Sequence, residues 1–142
     1  MRLTRYTDYA LRTLMFVAVH PEGRATIRDI AEAYDISRNH LMKVVYELGR
    51  LGYLETVRGK RGGLRLARAP EEINVGALVR QTENDLEIVE CFGPDNTCCL
   101  VPACVLARAL DEALRAFLAV LDRYTLADLV VPRNSLQKLL AM

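Results

Sequence analysis

Two helical patterns separated by a break of only a few residues leave a chain few ways to fold. Residues 26–34, TIRDIAEAY, open with Thr26 and carry Asp29 three positions on, a capping-box pairing with Asp where Glu or Gln is usual. Ile27, Ile30, Ala31 and Tyr34 then share one side of a helix. Asp35 and Ile36 make a tight break, Ser37 offers a second N-cap, and RNHLMKVVYELGRLG continues with Leu41, Val44, Val45 and Leu48 facing inward. Gly52 stands where that helix should end. Two short helices joined by such a brief turn are the helix-turn-helix unit. Before them, LTRYTDYALRTLMFVAVH spaces Leu3, Tyr6, Ala10, Leu14 and Val17 by three and four, an amphipathic helix closed by HPEG.

The residues after Gly52 extend the unit. YLETV and LRLAR are strand-like runs separated by RGKRGG, which reads as a β-hairpin with a basic tip. Arg58, Lys60 and Arg61 on that tip can reach phosphates or a minor groove, and Gly59, Gly62 and Gly63 permit close approach to a backbone. On the second helix of the unit, Arg38, Asn39, His40 and Lys43 cluster towards the N-terminal end, the end such helices insert into the major groove. Arg pairs with guanine and Asn with adenine, although the order of bases is not encoded in these residues alone. The expected architecture is mainly α with a small β-hairpin: a winged helix-turn-helix that binds double-stranded DNA.

Charge divides the chain in the same place. Residues 1–70 hold 13 Lys and Arg against 7 Asp and Glu, whereas residues 71–142 hold 6 against 11. A basic first half suits a polyanion and an acidic second half has another task. The expected division is a DNA-binding region over 1–72 and a second region over 73–142. In the second, EEINVGALVRQTE has Asn74 as the cap of a short helix. Residues 103–130 form the longest helical pattern, with Leu106, Leu110, Ala113, Phe117, Leu121 and Tyr124 recurring at three and four. A small winged-helix unit leaves little surface for so long a stripe, so the same helix of a second copy is the expected partner, in a homodimer. The tail PRNSLQKLLAM reads as a short final helix.

All four cysteines fall within residues 91–104, CFGPDNTCCLVPAC. No apolar run approaches the roughly 18 residues needed to cross a bilayer, and Asp8 and Arg12 interrupt the only stretch resembling a leader. A cytoplasmic location is therefore expected, where clustered thiols serve metal or redox chemistry rather than structural disulfides. Cys91, Cys98 and Cys104 are spaced C-x6-C-x5-C, with Cys99 an extra neighbour. Paired C-x2-C motifs of a zinc ribbon are absent, as is the close ferredoxin run. Thiols spread over a flexible loop can wrap a polynuclear centre, which ranks an iron–sulfur cluster ahead of zinc or a thiol switch; thiolate softness permits all three. No nucleophile, base and pocket combine into an enzyme site.

The segments LTRYTDYALR, ISRNHLMKVV, VRGKRGGLRLA, INVGALVR and ECFGPDNTC followed by PAC resemble the winged-helix family of iron–sulfur transcriptional regulators, the Rrf type, nearly end to end. HLMKVV, GGLRLA and the Gly-Pro-x-Asn loop are most similar to its nitric-oxide-sensing repressors. The resemblance implies a cytoplasmic homodimer whose cluster senses nitric oxide and which releases operator DNA on nitrosylation. An iron–sulfur or thiol-based regulator answering oxidative stress or cluster status is the alternative. The resemblance also implies Cys91, Cys98 and Cys104 as ligands. One branch of the family carries a histidine ligand three residues after the last cysteine; here that position is Ala107, which favours 4Fe–4S over 2Fe–2S. Regulators of the nitric-oxide branch use an aspartate of the first helix, supplied by the partner subunit, and Asp8 matches it. Read from the residues alone, Asp8 is equally a surface carboxylate satisfied by Arg12 one turn along. Neighbouring side chains of an extended loop point opposite ways, so Cys98 is preferred over Cys99.

Overall fold

The computed structural model describes residues 2–142. Helix α1 (Arg5–Val19) runs through the middle, with Ala10, Leu14, Phe16, Val17 and Val19 buried. Its start is fixed from two sides. Thr4 caps it by accepting from the Thr7 amide at 3.3 Å, and the Thr4 amide and hydroxyl donate to Glu83 at 2.9 and 3.1 Å. A buried hydrogen bond of 2.9 Å from the Thr7 hydroxyl to that of Thr82 ties the same turn to α4 (Val75–Thr82).

Helices α2 (Ile27–Tyr34) and α3 (Arg38–Arg50) form the helix-turn-helix. The capping box is present, with Thr26 and Asp29 exchanging hydrogen bonds of 2.8 and 3.2 Å. Asp35 makes the break by taking a left-handed conformation (φ 52°), which Asp tolerates better than most residues. Ser37 occupies the N-cap of α3 but makes no side-chain cap hydrogen bond, a difference from the expected cap. Helix α3 ends in a Schellman arrangement: Gly52 has φ 76°, its amide donates to the Gly49 carbonyl, and the Tyr53 amide donates to that of Leu48. Tyr53 and Leu48 are both buried, the apolar contact that accompanies this motif.

Strands β1 (Leu54–Val57) and β2 (Gly63–Leu66) pair antiparallel, with Leu54 opposite Leu66 and Val57 opposite Gly63. Ala25 adds a bridge to Leu64 on the other edge, which pins the hairpin beside α2. One core joins α1, α2, α3 and the hairpin to Ile73, Leu78 and Leu126 from the second half. Leu14, Ile30, Leu41, Leu48, Leu78 and Leu126 are all but inaccessible, and truncating any such side chain to Ala costs about 2–5 kcal/mol.

The long pattern of residues 103–130 is two helices, not one. Helix α5 (Val105–Leu121) stops at Asp122, and α6 (Leu126–Leu129) restarts behind a second capping box between Thr125 and Asp128. The cause is tertiary. Residues 73–75 pair with 124–126: the Val75 amide donates to the Tyr124 carbonyl at 3.0 Å, and the Leu126 amide to that of Ile73 at 2.8 Å. Asn74 caps α4 as expected, accepting from the Ala77 amide, while its amide nitrogen donates to the Asp122 carbonyl at 2.7 Å. Arg80 grips the Asp122 carboxylate with two hydrogen bonds of 2.5 and 2.8 Å. Gly76 is required there, because a Cβ at that position would run into the Asp122 carboxylate. Helix α7 (Arg133–Leu139) turns back onto α1, where Arg133 and Gln137 donate to the carbonyls of Ala18, Val19 and His20. His20, at the end of α1, is the helix-end residue expected.

Candidate nucleic-acid interface and cysteine loop

The packing of α3 sorts its residues. Leu41, Val44 and Leu48 are buried against the core, which turns Arg38, Asn39, His40 and Lys43 to solvent. Val45, expected inside, is only half-buried. The His40 ring lies 6.3 Å from that of Tyr9 on α1. Met42 and Tyr46, which the sequence pattern does not mark as functional, share the outer face and are 57% and 69% exposed. Helical spacing from Arg38 and Asn39 is the signal that could find them, but an apolar residue in an amphipathic pattern reads first as core.

Beyond α3, the wing tip carries Arg58, Lys60 and Arg61, all exposed. Its turn depends on glycine at two places. Gly59 has φ 107°, and a Cβ on Gly62 would stand 2.5 Å from the Val57 carbonyl oxygen and 2.9 Å from that of Gly59. Many other surface arginines are already neutralised. Arg65 meets Glu55 at 2.6 Å, Arg28 meets Glu32 at 2.7 Å, and Arg50 meets Glu47 at 2.7 Å. Arg38 has only a 3.9 Å approach to Glu32. Among the described residues, Lys43, Arg58, Lys60 and Arg61 have no acidic partner within salt-bridge distance. Cations left uncompensated on a reading helix and a wing suit a phosphate backbone.

The cysteine loop lies between α4 and α5. Single 3-10 turns at Glu90–Phe92 and Val101–Ala103 bracket it. The Glu90 carboxylate closes the first part by accepting from the Thr97 hydroxyl at 2.7 Å and the Thr97 amide at 3.0 Å, and these donors, the hydroxyl first, hold its carboxyl below the usual range. Asn96 accepts from the Cys98 amide at 2.9 Å. Cys104 caps α5, its sulfur accepting from the Ala107 amide at 3.4 Å, so the helix N-terminus faces that thiol. All four thiols are free; Cys91 and Cys104 are half-buried, Cys98 and Cys99 exposed.

Among the described residues, no three His, Cys, Asp or Glu side chains converge on a metal-sized site. Cys91, Cys98, Cys104 and Asp8 are therefore not gathered within one chain. Asp8 is on α1, paired with Arg12 at 3.0 Å, as its surface reading expects. Arg12 also stands 5.8 Å from the centre of the Tyr34 ring, and its carbonyl accepts from the Tyr34 hydroxyl. The donor chemistry nonetheless suits an iron–sulfur group: soft, unpaired, solvent-reachable thiols on a segment held by few backbone hydrogen bonds.

A family model described as Rrf2, iron-dependent transcriptional regulator, matches residues 3–132. The chain belongs to the Rrf2 family. Full-length relatives agree. The HTH-type transcriptional regulator NsrR of Geobacillus kaustophilus is 58% identical over 142 residues, covering 99% of this chain and 97% of that one. Its namesake from Bacillus subtilis strain 168 is 56% identical over 144 residues, covering 100% and 99%. Among solved structures, T. potens IscR superposes with a TM-score of 0.74 at 27% identity, covering 92% of this chain and 86% of that one. CymR, the global cysteine regulator of B. subtilis, gives 0.70 at 27% identity, covering 91% and 95%. These Rrf2 relatives are named transcriptional regulators, not enzymes. No helix among the described residues is long and apolar enough to cross a membrane.

Proposed function

We propose that this chain is a cytoplasmic, homodimeric repressor that binds operator DNA, holds an iron–sulfur cluster and releases the operator in response to nitric oxide. The observation that carries it is the combination, in one Rrf2 chain, of uncompensated cations on α3 and the wing with four free thiols in one exposed loop. Function divides near residue 72: residues 1–72 read DNA, and residues 73–142 hold the cluster and dimerise. Arg38, Asn39, His40 and Lys43 enter the major groove, while Arg58, Lys60 and Arg61 meet phosphate or the minor groove.

Support for the dimer comes from α5. Of its 17 residues only Leu118 is buried, and Leu106, Leu110, Ala113, Phe117 and Leu121, with Tyr124 just beyond, are exposed or half-buried. A stripe about 25 Å long at 1.5 Å per residue exceeds what a monomer exposes without reason. A second α5 covers it.

Cys91, Cys98 and Cys104 hold the cluster as thiolates, 4Fe–4S in preference to 2Fe–2S, and Asp8 of the second copy supplies the remaining ligand. When bound, the cluster offers iron open to nitric oxide. Asp8 must leave Arg12 to ligate, so Arg12 and the cluster compete for one carboxylate. Loop and first helix would then be joined across the dimer, setting the spacing of two reading heads. Half-sites lie about one helical turn apart, so a small rotation costs paired contacts. Iron and sulfide analysis of anaerobically isolated protein, with operator binding before and after chelation, tests this; iron-free protein that binds and responds unchanged would overturn it. A second reading, a thiol-based redox regulator, is favoured by the exposure of Cys98 and Cys99 side by side, and predicts an iron-free protein whose DNA affinity answers peroxide.

A further inference from the structure

We infer that Met42 reads thymine, packing its thioether against the 5-methyl group in the major groove. The inference deepens the DNA-reading role proposed for α3. Met42 lies one turn beyond Arg38 and three residues after Asn39, on the same outward face, and Lys43 adjoins it. It is 57% exposed, while the inner face is already filled by Leu41, Val44 and Leu48, so no core position awaits it. A lone exposed apolar residue needs no explanation. Here the placement supplies one. Cations and an amide that suit phosphate, guanine and adenine adjoin the apolar side chain of Met42.

Tyr6 of α1, Met42, Lys43, Tyr46 and Glu47 line one shallow hollow, so the thioether has space beside it in which to change rotamer. Methionine adapts its shape to a contact better than branched apolar residues. The major-groove edges of the bases offer one strongly apolar group, the thymine methyl. A protein partner would also accept an apolar patch, but Lys43 beside Met42 and the wing cations, without an acidic partner among the described residues, favour a polyanion as occupant. Tyr46, one turn on, shares that hollow, and Glu47 at its edge is engaged by Arg50 at 2.7 Å, which marks the rim of the reading face.

The test uses the full chain, isolated anaerobically, with a duplex selected from a random library. Each thymine is replaced in turn by deoxyuridine, which removes the methyl and nothing else. Burying one methyl is worth about fourfold in affinity. The wild-type chain should lose about fourfold at one or two positions. Met42→Ala should bind the thymine duplex more weakly and be indifferent to uracil there, whereas Met42→Leu should keep the discrimination. Circular dichroism checks that the variants fold. Wild-type indifference to uracil at every position, or discrimination retained by Met42→Ala, overturns the inference while leaving DNA binding intact. Failure to select any duplex overturns the DNA-reading role itself. A change in oligomeric state on Met42→Ala with uracil discrimination unchanged assigns the patch to a protein contact and overturns the inference.

Discussion

The double variant Lys60→Ala/Arg61→Ala separates cations that meet phosphate from cations that are merely basic. Both side chains are exposed on the wing tip and neither has an acidic partner among the described residues, so each is free to displace a counterion from DNA. Arg65, on β2 of the same hairpin, is already neutralised by Glu55 at 2.6 Å and serves as the control. Each phosphate contact contributes about 0.9 to the log–log slope of affinity against salt. Between 50 and 200 mM salt, that is about 3.5-fold per contact. The double variant should therefore flatten the slope by roughly 1.8 and lose about 12-fold less affinity than wild type across that range. Arg65→Ala should leave the slope nearly unchanged. Fluorescence anisotropy at four or more salt concentrations, on selected and unrelated duplexes, measures it. A double variant that keeps the wild-type slope, or an Arg65→Ala variant that flattens it as much, would rule out phosphate contact by the wing tip.

Three further outcomes rest on particular contacts. Cys91→Ala, Cys98→Ala and Cys104→Ala should each yield pale protein depleted of iron and sulfide, Cys99→Ala should keep both, and Asp8→Ala should retain a cluster with an altered visible spectrum; bleaching by Cys99→Ala alone reverses the choice between neighbours. Thr13 is fully buried and its hydroxyl has no partner among the described residues, so Thr13→Val should leave stability unchanged or raise it, whereas Thr82→Val removes the acceptor of the Thr7 hydroxyl, leaves it only the Thr4 hydroxyl at 3.2 Å, and should cost about 0.5–1.5 kcal/mol in urea unfolding. Glu90 has a lowered carboxyl pKa because the Thr97 hydroxyl and amide donate to the ionised form; its contribution to loop order is full above the ordinary value of 4.5 and lost as pH falls through the lower folded value, so Thr97→Val should move the Glu90 titration in a carboxyl NMR experiment upwards.

Local signals were the legible ones. The Thr26–Asp29 capping box, the Asn74 cap and Gly52 at the end of α3 each depend on residues within four positions, and each is present. The break between α5 and α6 was not legible, because apolar residues continue at helical spacing through Asp122–Thr125. It is imposed by Arg80 and by pairing with residues 73–75, some 42 to 53 positions away. The final helix could be read from the tail, but not its docking through Arg133 and Gln137 onto the end of α1. At the candidate sites, residue types and spacing marked the cations and thiols. Which cations are uncompensated depends on side-chain pairings three to ten residues apart, such as Arg50–Glu47 and Arg65–Glu55, that spacing alone does not select; and although the thiols are close in sequence, they do not converge among the described residues. Met42 escaped because hydrophobic patterning assigns apolar residues to cores; its exposure follows only from how α3 rolls onto α1.

In the proposed switch, cluster integrity and DNA affinity are one coupled equilibrium. Anaerobic titration of the iron-loaded chain on its operator with a nitric-oxide donor, with visible absorbance and anisotropy recorded in the same cuvette, probes that coupling without an intermediate step. Both signals should fall together, with affinity dropping about 5- to 150-fold, the span of a coupling energy of about 1–3 kcal/mol. Loss of the cluster's absorbance while operator affinity stays constant would show that the cluster does not control DNA binding.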